Sequence, residues 1–391
     1  MMPQPPPYPI SQPLLAQLIA FDTTSRYSNL QLIEFVRDYL AQWQIDSTLT
    51  FDDSRKKANL YATIGKATTG GILLSGHTDV VPVDGQNWQT EPFHLVEQAG
   101  KLFGRGSTDM KGFLAVCLAF VPYWAEHPLK MPIHLAFSYD EEVGCLGVRR
   151  LIANLAEQTI RPRFCVIGEP TEMRVIQAHK GKISMRCHVH GQSCHSSLTH
   201  QGVNAVEYAA EIIGYLKNMA RRLRDKGPWD DSFDPPYTTI HTGKIQGGTA
   251  LNIVPEHCVF DFEFRYLPNQ DGQQLLAEII AFAERKLLPE MQSVTTDVGF
   301  IWEELATFAS LNTAETEEIV TLAKQLAVTE QVGKVSFGTE GGLFQQAGVS
   351  TIICGPGSIQ QAHKPNEFIT TEQLHQCECF MQRLTNQLLS E

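Results

Sequence analysis

The sequence predicts an α/β protein: a mainly parallel, mixed sheet flanked by helices, interrupted by an inserted α+β domain. Three observations predict it. Short apolar runs bounded by glycine alternate with helix-spaced segments as far as about residue 180. The order then changes to a ferredoxin-like β-α-β-β-α-β pattern. From Thr313 the first alternation returns. The reading is therefore one domain built from residues 1–180 plus 299–391, with 181–298 inserted into it.

Ser11 to Ala20 and Leu30 to Gln44 carry apolar residues at helical spacing, in the second case Leu32, Ile33, Val36, Tyr39 and Leu40. Asn59 to Ile64 alternates as a strand does, and Gly71 to Ser75, Met131 to Ser138 and Phe164 to Ile167 read as buried strands. Helices are expected over Thr108–Glu126 and Leu146–Leu155. In the insert, Lys182–His190, Pro235–Ile245 and His257–Tyr266 read as strands, with helices over Gly202–Arg224 and Gln270–Leu288. Helix Ala314–Val328, strand Ser350–Cys354 and helix Thr371–Leu389 close the chain. The N-terminal MMPQPPPYPI reads as an extended lead-in, with neither the basic start nor the apolar stretch of a signal peptide.

A formal charge of −12 disfavours nucleic acid and anionic membranes as partners. The longest apolar run, Phe113 to Ala125, is too short to span a bilayer and contains Pro122. Nine cysteines include no CxxC pair, and Cys117, Cys145, Cys165 and Cys354 lie in apolar contexts, so buried thiols and a reducing cytoplasm are expected.

The chemistry concentrates where an α/β sheet presents functional groups, at the carboxyl ends of its strands. GILLSGHTDV places His77 just past a strand, with Asp79 two residues on. GRGSTDMKG brings Asp109 to a glycine-rich helix entry. LAFSYDEEVG ends a strand with Asp140, Glu141 and Glu142, where stacked carboxylates repel unless solvated or bound to a cation. With side chains alternating in direction, Glu142 can ligate a metal while Glu141 reaches a metal-bound water. FCVIGEPT puts Glu169 after another strand, and GPGSIQQAHKPNE puts His363 in a late loop. Each has a bland explanation: a helix cap, a surface pair, a loop histidine. Together, two histidines and three carboxylates suit two metal ions bridged by one carboxylate. HExxH, GxSxG and GxGxxG are absent, which weighs against single-zinc peptidase, serine hydrolase and dinucleotide-binding readings.

SGHTDVVPVDG, GRGSTDMKG, SYDEEVG, IGEPT and QAHKPNE resemble, in order, the motifs of the M20 (carboxypeptidase G2-like) metallopeptidase family. The resemblance implies a zinc-peptidase-like catalytic domain with an inserted lid and dimerisation domain, two Zn2+ per subunit (Co2+ able to substitute) and a homodimer. It implies that Asp109 bridges both metals, that His77 and Glu169 complete one site, and that Glu142 and His363 complete the other. Glu141 would be general base and then acid, and Asp79 would support His77. His195, in GQSCHSS, would reach a partner subunit's site. Asn252 and Arg265 would hold polar groups of the substrate. The backbone around Gly357 could bind a substrate carboxylate, and Glu340 could favour a cationic substrate end. The substrate expected is a small N-acyl amino acid, N2-acetyl-L-ornithine, cleaved to ornithine and acetate. N-succinyl-diaminopimelate and dipeptides are the alternatives within the family, and a non-catalytic ligand-binding protein is the alternative outside it.

Overall fold

The computed structural model describes residues 10–66 and 70–389. The proline-rich lead-in before Ile10 lies outside them. The chain divides into two units, one of Met1–Ala178, Leu311–Lys334 and Thr339–Glu391, the other of His179–Ser310 and Val335–Gly338.

Among the described residues, the first unit is built on a nine-stranded mixed sheet. Its order runs Ser47–Phe51, Ala58–Ile64, Ile133–Ser138, Ile72–His77, Phe164–Pro170, Ser350–Gly355, Ile176–His179 and Leu311–Asn312, with Gly333–Val335 branching from Ile176–His179. Ile72–His77 runs parallel to both neighbours, and Ser350–Gly355 runs parallel to Phe164–Pro170. These central strands are apolar because helices cover both faces. Leu30–Ala41 buries Leu32, Ile33, Val36 and Leu40, one stripe at helical spacing. Gly112–Glu126 is apolar almost all round and buried in the core, with Pro122 inside it. It lies close enough to the sheet that a Cβ at Gly168 would fall 2.0 Å from the ring of Phe113. No helix among the described residues is long and apolar enough to cross a membrane.

The second unit is a four-stranded antiparallel sheet, ordered Thr239–Gly247, His257–Tyr266, Gly181–His190 and Gly299–Phe308. Ile183, Met185, Cys187 and Val189 alternate inward and meet Phe260, Phe262 and Phe264, forming a separate core with helices Ala205–Lys226 and Gly272–Phe282. Both helices begin on a side-chain cap: Asn204 accepts from the N–H groups of Val206 and Glu207, and Asp271 from those of Gln273 and Gln274.

The boundary expected at 298/299 is corrected by Gly299–Phe308. That segment pairs along its length with Gly181–His190 and supplies the last strand of the β-α-β-β-α-β order, so the chain leaves this unit after Ser310. Its exposed Glu303 and Glu304 hide the strand pattern in the sequence.

Candidate active site

His77 closes the strand Ile72–His77 and is 1% exposed. Its Nδ1 lies 2.9 Å from the carbonyl oxygen of Asp79. A carbonyl only accepts, so Nδ1 carries the proton and donates, which aims Nε2 into the site. Nε2 is 3.0 Å from Asp109 Oδ1 and 3.6 Å from Glu169 Oε1. On the other side of Asp109, Oδ2 lies 3.3 Å from His363 Nε2, which is in turn 3.1 Å from Glu142 Oε2. The two oxygens of Asp109 therefore face two histidines, each with a glutamate beside it.

Local backbone makes this possible. Asp109 lies in an irregular turn between Gly106, at φ +81°, and the helix that begins at Gly112; it caps nothing, and the Asp109–Met110 peptide is cis. Asp140, with φ +55°, turns the chain just after strand Ile133–Ser138. The extended geometry expected for the acidic run is thus replaced by a turn, and Glu141 and Glu142 do not alternate. Both face the cluster: Glu141 with His77 and Glu169, Glu142 with His77 and Asp109, each set with ligand atoms within 4.8 Å of one another.

Electrostatics fit a cation pair. Burial and the neighbouring carboxylates push the Glu141 pKa up to about 8 and that of Glu142 to about 7, and hold Glu169 well above its ordinary value. Asp109 is held low despite burial, by His363 and His77. His363 is pushed up to about 10 by Asp109 and Glu142, and His77 is held well above the ordinary value by Asp109, Asp79 and Glu169, although burial opposes it. Two divalent ions would supply the positive charge that these buried carboxylates call for. Glu142 Oε1 is buried with no hydrogen-bond partner among the described residues, which leaves it free to take a cation.

Residues 73–387 match peptidase family M20/M25/M40. Acetylornithine deacetylase of Pasteurella multocida is 35% identical over 348 residues, 88% of this chain and 87% of that protein. Its namesake from Myxococcus xanthus is 32% identical over 381 residues, 96% of each chain. The chain belongs to peptidase family M20. Among solved structures, the M20 family metallo-carboxypeptidase Sso-CP2 of Sulfolobus solfataricus superposes with a TM-score of 0.74 at 17% identity, covering 95% of this chain and 97% of that one. A dinuclear metal binding M20 peptidase of Bacillus subtilis reaches 0.66 at 14% identity, covering 96% and 97%. At such identities these two show the shared M20 fold.

The remaining expected residues are placed as follows. The Asp79 carboxylate is 3.6 Å from His77 Nδ1, but it also accepts from Ser25 Oγ at 2.7 Å and from the N–H groups of Glu141 and Glu142 at 3.1 and 3.3 Å. It positions the acidic turn as much as the histidine. Glu340 faces inward, 1% exposed, accepting from Ser138 Oγ at 2.5 Å, and burial pushes its pKa up to about 7. The Gly357 N–H donates to Gln373 Oε1 at 3.1 Å instead of facing outward, in a turn with φ +90°. In the second unit, exposed His195 has Nδ1 2.8 Å from Ser197 Oγ, Asn252 is exposed on the neighbouring segment, and Arg265 Nε donates to Glu263 Oε1 at 3.3 Å.

Glu367 was visible at the end of QAHKPNE without a role. Through Oε2 it accepts from Arg105 Nη1 and the Gly106 N–H, and through Oε1 from the N–H groups of Thr108 and Asp109. Lys57 carries no motif at all. Its Nζ donates to Asp140 Oδ1 at 2.5 Å and to the Ser25 carbonyl, anchoring the acidic turn at its first residue. The one sequence signal for Glu367 was its position four residues after His363.

Proposed function

We propose that this M20 hydrolase removes the acetyl group from N2-acetyl-L-ornithine, giving ornithine and acetate, with two Zn2+ held between His77, Asp109, Glu142, Glu169 and His363. The observation that carries the metal half is the division of the Asp109 oxygens between His77 and His363. The substrate half rests on relatives 32–36% identical over most of the chain that bear the name acetylornithine deacetylase.

His77 and Glu169 would hold one ion, Glu142 and His363 the other, and Asp109 both. The ions would supply Lewis acidity toward an amide carbonyl and acidify water. Glu141, buried beside the ligands, would take a proton from the attacking water and hand it to the departing amine. The Asp79 carboxylate would keep Glu141 aimed by holding its backbone N–H. His195, Asn252 and Arg265 would contact substrate in an assembled homodimer, with His195 serving the partner's site. Glu340 is enclosed by the protein, so direct contact with an ornithine ammonium is not part of the proposal.

The test is hydrolysis by the zinc-reconstituted protein of N2-acetyl-L-ornithine, N-succinyl-diaminopimelate and a dipeptide panel. Preference for acetylornithine in kcat/KM supports the reading. Preference for either competitor moves the protein elsewhere in the family, and no turnover of any of them refutes the deacylase reading.

A further inference from the structure

The second unit holds another group of metal-binding character, far along the chain from the five ligands above. His190 ends strand Gly181–His190 and His257 begins strand His257–Tyr266, and the two residues are directly paired across the ladder. Their rings stack with centroids 5.0 Å apart and 23° between planes, bringing Nδ1 to within 3.3 Å of Nδ1. Glu256 adds a carboxylate, so that one ligand atom from each of the three residues lies within 4.8 Å of the others. Ser193 Oγ donates to Glu256 Oε2 at 3.2 Å, and Glu256 and His257 open onto a depression of about 400 Å³ that also admits water.

The spacing matters. Two nitrogens bound to one tetrahedral zinc at about 2.0–2.1 Å lie about 3.3–3.4 Å apart. A cross-strand imidazole pair held at that separation, with a carboxylate alongside, takes an ion once the two stacked rings turn so that their in-plane lone pairs converge. Imidazole nitrogens and a carboxylate select a borderline transition ion over magnesium or calcium.

We infer that His190, Glu256 and His257 form an additional transition-metal site that fastens together the two segments carrying His195 and Asn252. Those segments run side by side from this point. The Gly191 N–H donates to the Glu256 carbonyl at 2.7 Å, the Val254 N–H to the Cys194 carbonyl at 2.9 Å, and the Ser196 N–H to the Asn252 carbonyl at 3.0 Å. His195 and Ile253 form an isolated bridge between them. An ion at the base of this ladder ties its first rung by three side chains. It therefore restrains the separation of the two residues assigned above to substrate contact. The site itself rests on the His190–His257 geometry alone. Only its effect on turnover rests on the deacylase reading.

The experiment compares the full-length protein with the His190→Ala/His257→Ala double variant, both saturated with Zn2+ and freed of excess ion by gel filtration, with bound zinc measured per chain. The unmodified protein is expected to retain one equivalent more than the variant. It is also expected to resist proteolysis between residues 190 and 257 when zinc is present, a protection that the variant lacks. Equal zinc content and equal proteolysis would overturn the inference. Should the double variant not fold, His257→Gln, which alters one exposed side chain, is read in the same way. The difference between the two proteins is independent of how many ions the Asp109 site holds. Failure of this inference is therefore distinct from failure of the deacylase reading, which is judged by turnover.

Discussion

One carboxylate oxygen of Glu367 receives the backbone N–H of Asp109 at 3.1 Å and that of Thr108 at 2.9 Å. The residue whose oxygens separate the two histidines is thus held through its main chain by a second buried acid, itself paired with Arg105 at 2.8 Å. The Lys111 N–H closes the turn onto the Gly106 carbonyl at 2.8 Å, and the Glu367 carboxylate takes up the N–H groups of Thr108 and Asp109 inside it.

Glu367→Gln keeps the size but can no longer accept through both ends of the side chain. If Asp109 bridges the two ions as proposed, weakening its support by one such change is expected to lower metal affinity about 10–100-fold. Zinc retention against a graded chelator series checks this. An unchanged retention curve would mean that the turn holds without Glu367.

The two acids of the turn after Asp140 should separate by readout. Glu141→Ala is expected to keep its metal while turnover falls about 10²–10⁴-fold, the usual contribution of a positioned acid–base group. Glu142→Ala should lose metal instead. Metal content and kcat measured side by side decide the assignment, and normal turnover by Glu141→Ala would end it.

Lys57 and Asp140 are about equally enclosed, at 17% and 15% exposure. Lys57→Met removes the donor while keeping the length, freeing the acidic turn on one side. The expected result is a lower kcat with KM and metal content little changed, because Asp79 still holds the Glu141 N–H. A fall in metal content equal to that in kcat would show that Lys57 supports the ligands instead of aiming the base.

Two buried histidines should each contribute a loss of stability on acidification, against which the raised pKa of buried Glu340 works. Burial pushes His134, whose Nδ1 lies 2.7 Å from the Tyr61 hydroxyl, and His179 down to about 4. Their ordinary value is 6.5. Between these limits the unfolded chain binds protons that the folded chain refuses, so this contribution is full above pH 6.5 and is lost as pH falls toward 4. Between pH 6.5 and 4 the urea midpoint of His134→Gln should gain on that of the unmodified protein as pH falls. Parallel slopes for the two proteins would assign the loss to other groups.

Asn29 offers a purely structural test. Its amide donates to the Ala58 carbonyl and Thr78 Oγ1 and its oxygen accepts from the Ala58 N–H, all buried. Asn29→Ala strands these groups, and a loss of about 1–3 kcal/mol is expected from denaturant titration.

Much of the first unit was legible because buried parallel strands are uniformly apolar and their helices keep a strict stripe, as in Ile72–His77 and Leu30–Ala41. The strand Gly299–Phe308 was not, since an edge strand with outward glutamates carries a weak pattern. The clustered histidines and acids stood out by chemistry at strand ends. What holds them did not: Lys57, Arg105 and Glu367 act through backbone groups, and such contacts depend on tertiary proximity that no local spacing announces. The turn at Asp140 was missed for a related reason. Aspartate tolerates its positive φ, and the turn is held by Lys57 on the Asp140 carboxylate and by Asp79 on the next two N–H groups, contacts that come from distant segments.

The strand Ser350–Gly355 sits inside the sheet, hydrogen-bonded to Phe164–Pro170 on one side and Ile176–His179 on the other. During synthesis the ribosome must therefore deliver the entire intervening unit before this slot can be filled. Until then Phe164–Pro170 has an open edge, and neither His363 nor Glu367 has emerged. Assembly of the first unit is consequently a late, long-range event, whereas the second unit can close on itself while the chain is still growing.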